Sequence, residues 1–192
     1  PFMVFTDEML TWPPDPDAWS LRWYKNMIGN CSADVVSSTV PCSNKWMIGT
    51  VNSFFIGFIA TFIATTLGTL AALGLSRPHM PYKGLIMAIL ISPMIVPLII
   101  TAAGMFFFYA RINLVYSFTG IILAHVALAT PFVVITVTAT LVGFDMNMVK
   151  ASQSLGARPV RTFFKVIMPL ILPGVISGAL FAFITSFDEV VI

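Results

Sequence analysis

The 192-residue chain is 58% hydrophobic and only 9% charged, whereas about 25% of residues are charged in a typical soluble domain. A soluble domain could not bury that much apolar surface, so the composition predicts an all-α polytopic membrane protein. The net charge of +2 excludes no class of partner, because the positions of the charges carry the information.

The first 45 residues form the only long polar region. Residues 2–5 are typical of the outer end of a helix that begins further upstream, and the apolar residues up to Ile192 indicate a span that continues. Three prolines within 13–16 exclude a regular helix there. Residues 1–45 are therefore expected to hold the end of a first helix and an outer, periplasmic loop.

The two cysteines of the chain, Cys31 and Cys42, both lie in this loop. In an oxidising compartment such a pair is expected to form a disulfide that closes ten intervening residues. The alternative is two free thiols. A single cysteine pair without a nearby histidine offers too few ligands for a metal ion, so no metal site is predicted.

Four apolar segments follow, each long enough for about 30 Å of hydrocarbon, which takes roughly 20 residues. They are 46–76, 84–110, 119–144 and 166–192. In the first, small residues recur every four positions from Ala60 to Ala72, which favours close helix packing, although the threonines beside them could line a pore. In the second, Pro93 and Pro97 predict a kink, since prolines break the hydrogen-bond ladder.

His125 lies inside the third apolar segment. An intramembrane histidine could relay protons or bind substrate. No acid accompanies it in the segment, so a neutral, hydrogen-bonded packing histidine is the favoured interpretation.

The distribution of charge orients the four segments. The stretches 77–83 and 145–165 carry six cations and one acid, whereas 6–45 and 111–118 carry four cations and five acids. Because positive charge favours the cytoplasmic side, the first two stretches are predicted to be cytoplasmic and the long N-terminal loop external. This assignment agrees with the alternation that four crossings require.

The loop 145–165 is the most informative stretch. Four cations lie within sixteen residues from Lys150 to Lys165, with no acid among them. A short helix is expected over 151–155, Gly156 suits a left-handed residue that ends it, and Pro159 suits the first turn of a second short helix. The loop is thus predicted to be a folded helix–turn–helix that can dock a soluble partner.

This loop resembles the EAA loop of binding-protein-dependent ABC importer permeases, whose motif reads E-A-A, three residues, G, nine residues, I-x-L-P. Lys150 replaces the glutamate of the motif, a charge reversal, and Ser152 replaces its second alanine. The alternative is an ordinary basic cytoplasmic loop. The resemblance implies an ATPase-coupling role for Lys150, Ala151, Ser152, Leu155, Gly156, Ala157 and Pro169.

The resemblance covers about residues 46–192 and implies the type I ABC importer transmembrane domain, with about four complete helices of an expected six. It implies a bacterial inner membrane, a second permease subunit, homologous or identical, a cytoplasmic ABC ATPase dimer and a periplasmic substrate-binding protein. Mg-ATP is expected on the ATPase and no cofactor on this chain, which has no G-x-x-x-x-G-K-[ST] phosphate loop. No catalytic residues and no nucleic-acid partner are predicted.

The string SLRWY at 20–24 and the residues 185–191 resemble the spermidine/putrescine branch of the family, which implies polyamines or related small cationic solutes. Permeases for opines, aminoethylphosphonate, thiamine or iron have similar architecture. An ion channel or a secondary transporter is the rival from another class, and it would need charged or broken-helix sites near the midplane.

An acidic pair, Asp188 and Glu189, lies near the end of the chain. At about 1.5 Å per residue Asp188 is roughly 35 Å from Lys165, near the outer face of the membrane. One carboxylate, with Ser186 or Thr185, is a candidate for the substrate pathway. The alternative is that both acids only help to end the helix in the headgroup region.

Overall fold

A computed structural model describes residues 45–77, 80–145 and 147–189, and within these ranges the chain is helical and contains no strand. The helices are α1 (Lys45–Leu75), α2 (Lys83–Ile95), α3 (Leu98–Arg111), α4 (Phe118–Val142), α5 (Asn147–Ser154), α6 (Pro159–Thr162), a π-helical turn (Phe163–Ile167) and α7 (Met168–Asp188). The all-α prediction is confirmed. Cys31 and Cys42 lie outside the described residues, so the disulfide stays a prediction.

Three continuous helical segments are long and apolar enough to cross a membrane. They are Met47–Leu75, Phe118–Val142 and Pro159–Asp188. They agree with the predicted first, third and fourth spans, except that the fourth begins earlier because α6, the π-helical turn and α7 follow one another without a break. All contacts described below lie within residues 54–192, which form one compact unit.

The predicted second span is two helices rather than one kinked helix. The axes of α2 and α3 differ in direction by 101°, and the break lies at Val96 and Pro97, whose backbones are extended. The residue before a proline avoids the helical conformation, which explains why α2 ends at Ile95.

Pro93, by contrast, lies inside α2. A proline deprives the carbonyl four residues earlier of its backbone donor, and here that carbonyl belongs to Ile89. The Ser92 hydroxyl donates to the Ile89 oxygen at 2.8 Å and replaces the missing bond. Pro93 is therefore accommodated inside α2, whereas α2 ends before Pro97.

α4 and α7 are antiparallel. The backbone of Gly174 faces the side chain of Thr140 near one end of the pair, and Ser186 faces His125 near the other. A β-carbon on Gly174 would collide with the Thr140 hydroxyl. The absence of a side chain is therefore what permits this close approach.

α1 runs parallel to α4, since the Phe55 ring contacts Phe118 and the Gly68 backbone faces Val133 further along both helices. The chain between two parallel spans must return to the side from which the first span began. We therefore assign α2 and α3 together to one crossing. This places 77–83 and 112–117 on opposite sides, as the charges predict.

The core consists of small and branched side chains. Those with no solvent exposure include Ala60, Ala64 and Ala72 of α1, Ala129, Val133 and Val137 of α4, and Ile171 and Ala182 of α7. The predicted small-residue face of α1 is thus a packing surface. The hydroxyl oxygens of Thr61, Thr65 and Thr69 beside it are shielded from solvent, so they line no open channel in this structure.

Candidate functional site

The loop between α4 and α7 begins with a capped helix. Asp145 Oδ1 accepts a hydrogen bond of 2.8 Å from the backbone nitrogen of Asn147, at the first residue of α5. A side-chain oxygen in this position satisfies one of the unpaired donors of a helix N-terminus. α5 spans Asn147–Ser154, so it begins one turn earlier than the sequence predicts.

α5 ends in a Schellman motif at Gly156, whose φ is +78°. The backbone nitrogen of Ala157 donates to Ser152 O at 3.1 Å, and that of Gly156 donates to Gln153 O at 2.9 Å. A β-carbon at Gly156 would meet no atom within 4 Å. The glycine is needed for its backbone conformation rather than for space, and the predicted left-handed turn is confirmed.

The second short helix begins as predicted, with Pro159 in its first turn. A hydrogen bond of 2.8 Å joins the hydroxyls of Ser152 and Thr162, and Thr162 is only 2% exposed. Ser152, where the motif has alanine, therefore connects α5 to α6. Sequence reasoning missed this bond, because the ten-residue separation gives no signal of it.

An apolar ridge is exposed on α5. Met148 and Leu155 are 50% and 88% exposed, and Ala151 between them is also exposed. Positions i, i+3 and i+7 lie on one face of a helix. Leu155 thus projects from the polar part of the chain, and the ridge is a surface that a partner could cover.

The predicted coupling residues do not all lie on this ridge. Ser152, Gly156 and Ala157 hold the turn through the contacts given above. Pro169 lies after the π-helical turn, in the first turn of α7. It therefore belongs to the junction between the loop and the span, whereas Lys150, Ala151 and Leu155 are open to a partner.

At the opposite end of α7, a buried hydrogen bond joins α4 to α7. His125 Nδ1 and Ser186 Oγ are 2.8 Å apart, and the two residues are 7% and 6% exposed. The favoured interpretation of His125 as a packing histidine agrees with this contact. Ser186, a predicted pathway residue, here lies between helices rather than on an open surface.

The two residues of the acidic pair, at the same end of α7, differ in their exposure to solvent. Asp188 is exposed and is the last residue of α7, whereas Glu189, the next residue, is half-buried. Thr185 is half-buried. The structure therefore joins Ser186 to His125 and leaves Asp188 open, and the predicted substrate role of these residues stays a prediction.

An aromatic cluster lies at the end of α7 that carries the acidic pair, and it was not predicted from the sequence. The ring centroids of Phe54 and Phe187 are 5.0 Å apart, and those of Phe58 and Phe183 are 5.1 Å apart. The signal in the sequence is the recurrence of phenylalanine at i and i+4 on both helices, which places each pair on one face. The rings of the cluster pack α1 against α7 near the His125–Ser186 hydrogen bond.

The chain is similar to known transport proteins. The family described as binding-protein-dependent transport system inner membrane component matches residues 47–192. The spermidine/putrescine transport system permease protein PotC of Haemophilus influenzae is 31% identical over 91% of this chain and 63% of its own length. PotC of Escherichia coli is 34% identical over 70% of this chain and 51% of its own length.

A relative named for a different substrate also matches. The sulfoquinovosyl glycerol transport system permease protein SmoH of Agrobacterium fabrum is 28% identical over 72% of this chain and 48% of its own length. The chain thus spans about half to two thirds of the length of these relatives.

Proposed function

The chain belongs to the family of inner-membrane components of binding-protein-dependent transport systems, and on that basis we propose that it is part of the permease subunit of an ATP-driven ABC importer. The subunit spans a bacterial inner membrane several times. It pairs with a second permease subunit and receives solute from a periplasmic binding protein. Mg-ATP is bound and hydrolysed by a cytoplasmic ABC ATPase dimer.

The observation that carries the proposal is the fixed shape of the loop with its exposed ridge. α5 ends in a hydrogen-bonded left-handed turn, Ser152 ties it to α6, and α6 continues through the π-helical turn into α7. A displacement of α5 by the ATPase is therefore transmitted to a membrane span rather than lost in a flexible loop. Such a displacement would switch the permease between inward-open and outward-open arrangements.

The proposed substrates are polyamines, putrescine and spermidine, or related small cations. Two relatives named for spermidine and putrescine support this, as do the exposed Asp188 and the nearby Glu189 at the outer end of α7. A carboxylate at the entrance favours a cation by direct electrostatic attraction. The relative named for sulfoquinovosyl glycerol favours a sugar derivative as the second candidate.

The test is uptake by the full-length subunit in proteoliposomes that also contain its permease partner and ATPase, with the binding protein supplied outside. Radiolabelled putrescine and spermidine should accumulate only when ATP is present on the ATPase side. Uptake of a sugar glycoside instead would reject the polyamine assignment and keep the importer. Solute movement independent of ATP would reject the importer itself and favour a channel or secondary transporter.

A further inference from the structure

The loop 145–165 presents positive charge that its own residues do not neutralise. Lys150, Arg158, Arg161 and Lys165 are all exposed. The one acid of the loop, Asp145, uses its carboxylate to cap α5. A partner that covers the apolar ridge of α5 must therefore also meet this charge.

Two of these cations line a recess. A shallow pocket of about 290 Å³ lies between the Schellman turn of α5 and the start of the last span. It is lined by Ser152, Leu155, Gly156, Ala157, Arg161, Thr162, Lys165 and Val166. The Arg161 guanidinium and the Lys165 ammonium at one opening form a site for an anion. The hydroxyls of Ser152 and Thr162 shape the wall, because Ser152 donates to the Val149 carbonyl and is bonded to Thr162.

We propose that the groove of the ATPase that receives this loop is acidic, and that one of its aspartate or glutamate side chains enters this pocket beside Arg161 and Lys165. The inference rests on the proposed function. Lys150 meets a second carboxylate of the same groove. Lys150 stands where the family motif carries an acid, so this position favours an acidic partner surface by direct charge complementarity.

The geometry favours a protein carboxylate over a lipid phosphate. An arginine fork binds a carboxylate and a phosphate alike through two parallel hydrogen bonds, so the distinction rests on the shape around it. The pocket walls are held in one shape by the Ser152–Thr162 bond and the turn at Gly156, and Leu155, which is 88% exposed, forms part of the same opening. A pocket of fixed shape beside the exposed Leu155 side chain is complementary to a protein groove. Binding to a layer of lipid headgroups requires neither the pocket nor the exposed leucine.

The experiment measures binding of the ATPase to the full-length permease in nanodiscs. Arg161→Glu and Lys150→Glu should each weaken binding by about tenfold or more, because a like-charge contact replaces an attractive one. Arg161→Gln should weaken it less. The matched control is Lys83→Glu, an exposed cation on the other cytoplasmic turn, which should leave affinity unchanged. Raising salt from about 50 mM to about 300 mM should weaken the wild type more than Arg161→Glu.

Two further measurements distinguish an error in the acidic groove from an error in the proposed function. Leu155→Asp should abolish binding if the loop docks at all. Loss with Leu155→Asp, but none with Arg161→Glu or Lys150→Glu, overturns the acidic groove and leaves the proposed function standing. No loss with any of these variants overturns the proposed function. If the Arg161→Glu effect disappears when anionic lipid is replaced by phosphatidylcholine, a lipid headgroup occupies the pocket and the inference is wrong.

Discussion

The imidazole of His125 and the hydroxyl of Ser186 form a buried hydrogen bond of 2.8 Å between α4 and α7, although they are 61 positions apart in sequence. It lies at the opposite end of α7 from the coupling loop. If α7 carries the motion of that loop, this bond is a point at which its far end is held to α4.

The first prediction concerns the energy of that bond. A double-mutant cycle of His125→Ala and Ser186→Ala should give a coupling free energy of about 0.5–2 kcal/mol, because either single change leaves a buried polar group unpaired. Reversible SDS unfolding in mixed micelles measures it. A parallel cycle of His125→Ala with Ser177→Ala, elsewhere on α7, should be additive. Additivity in both cycles would show that the contact contributes nothing to stability.

The second prediction concerns the contact of α4 with α7. Gly174→Ala should destabilise the protein by about 1–3 kcal/mol, since the new β-carbon meets the Thr140 side chain and overpacks the interface. The added change Thr140→Ala should recover part of the loss. Gly74→Ala, where a β-carbon meets no atom within 4 Å, should instead be neutral or stabilising. Equal unfolding free energies for Gly174→Ala and wild type would exclude this close packing.

The third prediction concerns the turn of the coupling loop. Gly156→Val forces a branched residue to a φ of +78°, which costs roughly 1 kcal/mol or more and misaligns α5. ATP-driven uptake should fall while insertion and expression are maintained. The control Gly143→Val changes a glycine of the same loop region whose φ is −84°, and it should retain transport. Normal uptake by Gly156→Val at wild-type expression would refute the coupling role of the turn.

The fourth prediction concerns the acidic pair. Asp188→Asn should raise the half-saturating substrate concentration far more than Glu189→Gln, because Asp188 is exposed whereas Glu189 is half-buried. Uptake is measured with the binding protein saturated, so that the comparison reports the permease. Small and equal effects of the two variants would leave both acids with only the structural role of ending α7.

Local features were predictable from the sequence because they depend on backbone preferences of single residues. Gly156 and Pro159 fix a turn and a helix start whatever surrounds them. Pro97 predicted a disturbance of the second span. Its size, 101°, was not predictable, because the angle between two helices across an extended break depends on how each helix packs, which a single sequence does not specify.

Pairings between distant residues were not predictable. The repeat of small residues on α1 indicated a packing face but not its partner, and Gly68 could have faced any span. The bonds His125–Ser186 and Ser152–Thr162 each join side chains that are common in helices and carry no spacing rule. Such contacts follow from how the helices cross, which a single sequence does not specify.

The most direct measurement is site-specific photocrosslinking in cells that express the whole transporter. A photoreactive amino acid at Ala151, on the exposed ridge of α5, should form a covalent adduct with the ATPase, and the yield should change when ATP hydrolysis is blocked. The same amino acid at Asn113, which we assign to the other side of the membrane, should form none. Absence of an ATPase adduct at Ala151, with the subunit inserted and transport intact, would contradict the assignment of this loop as the coupling element.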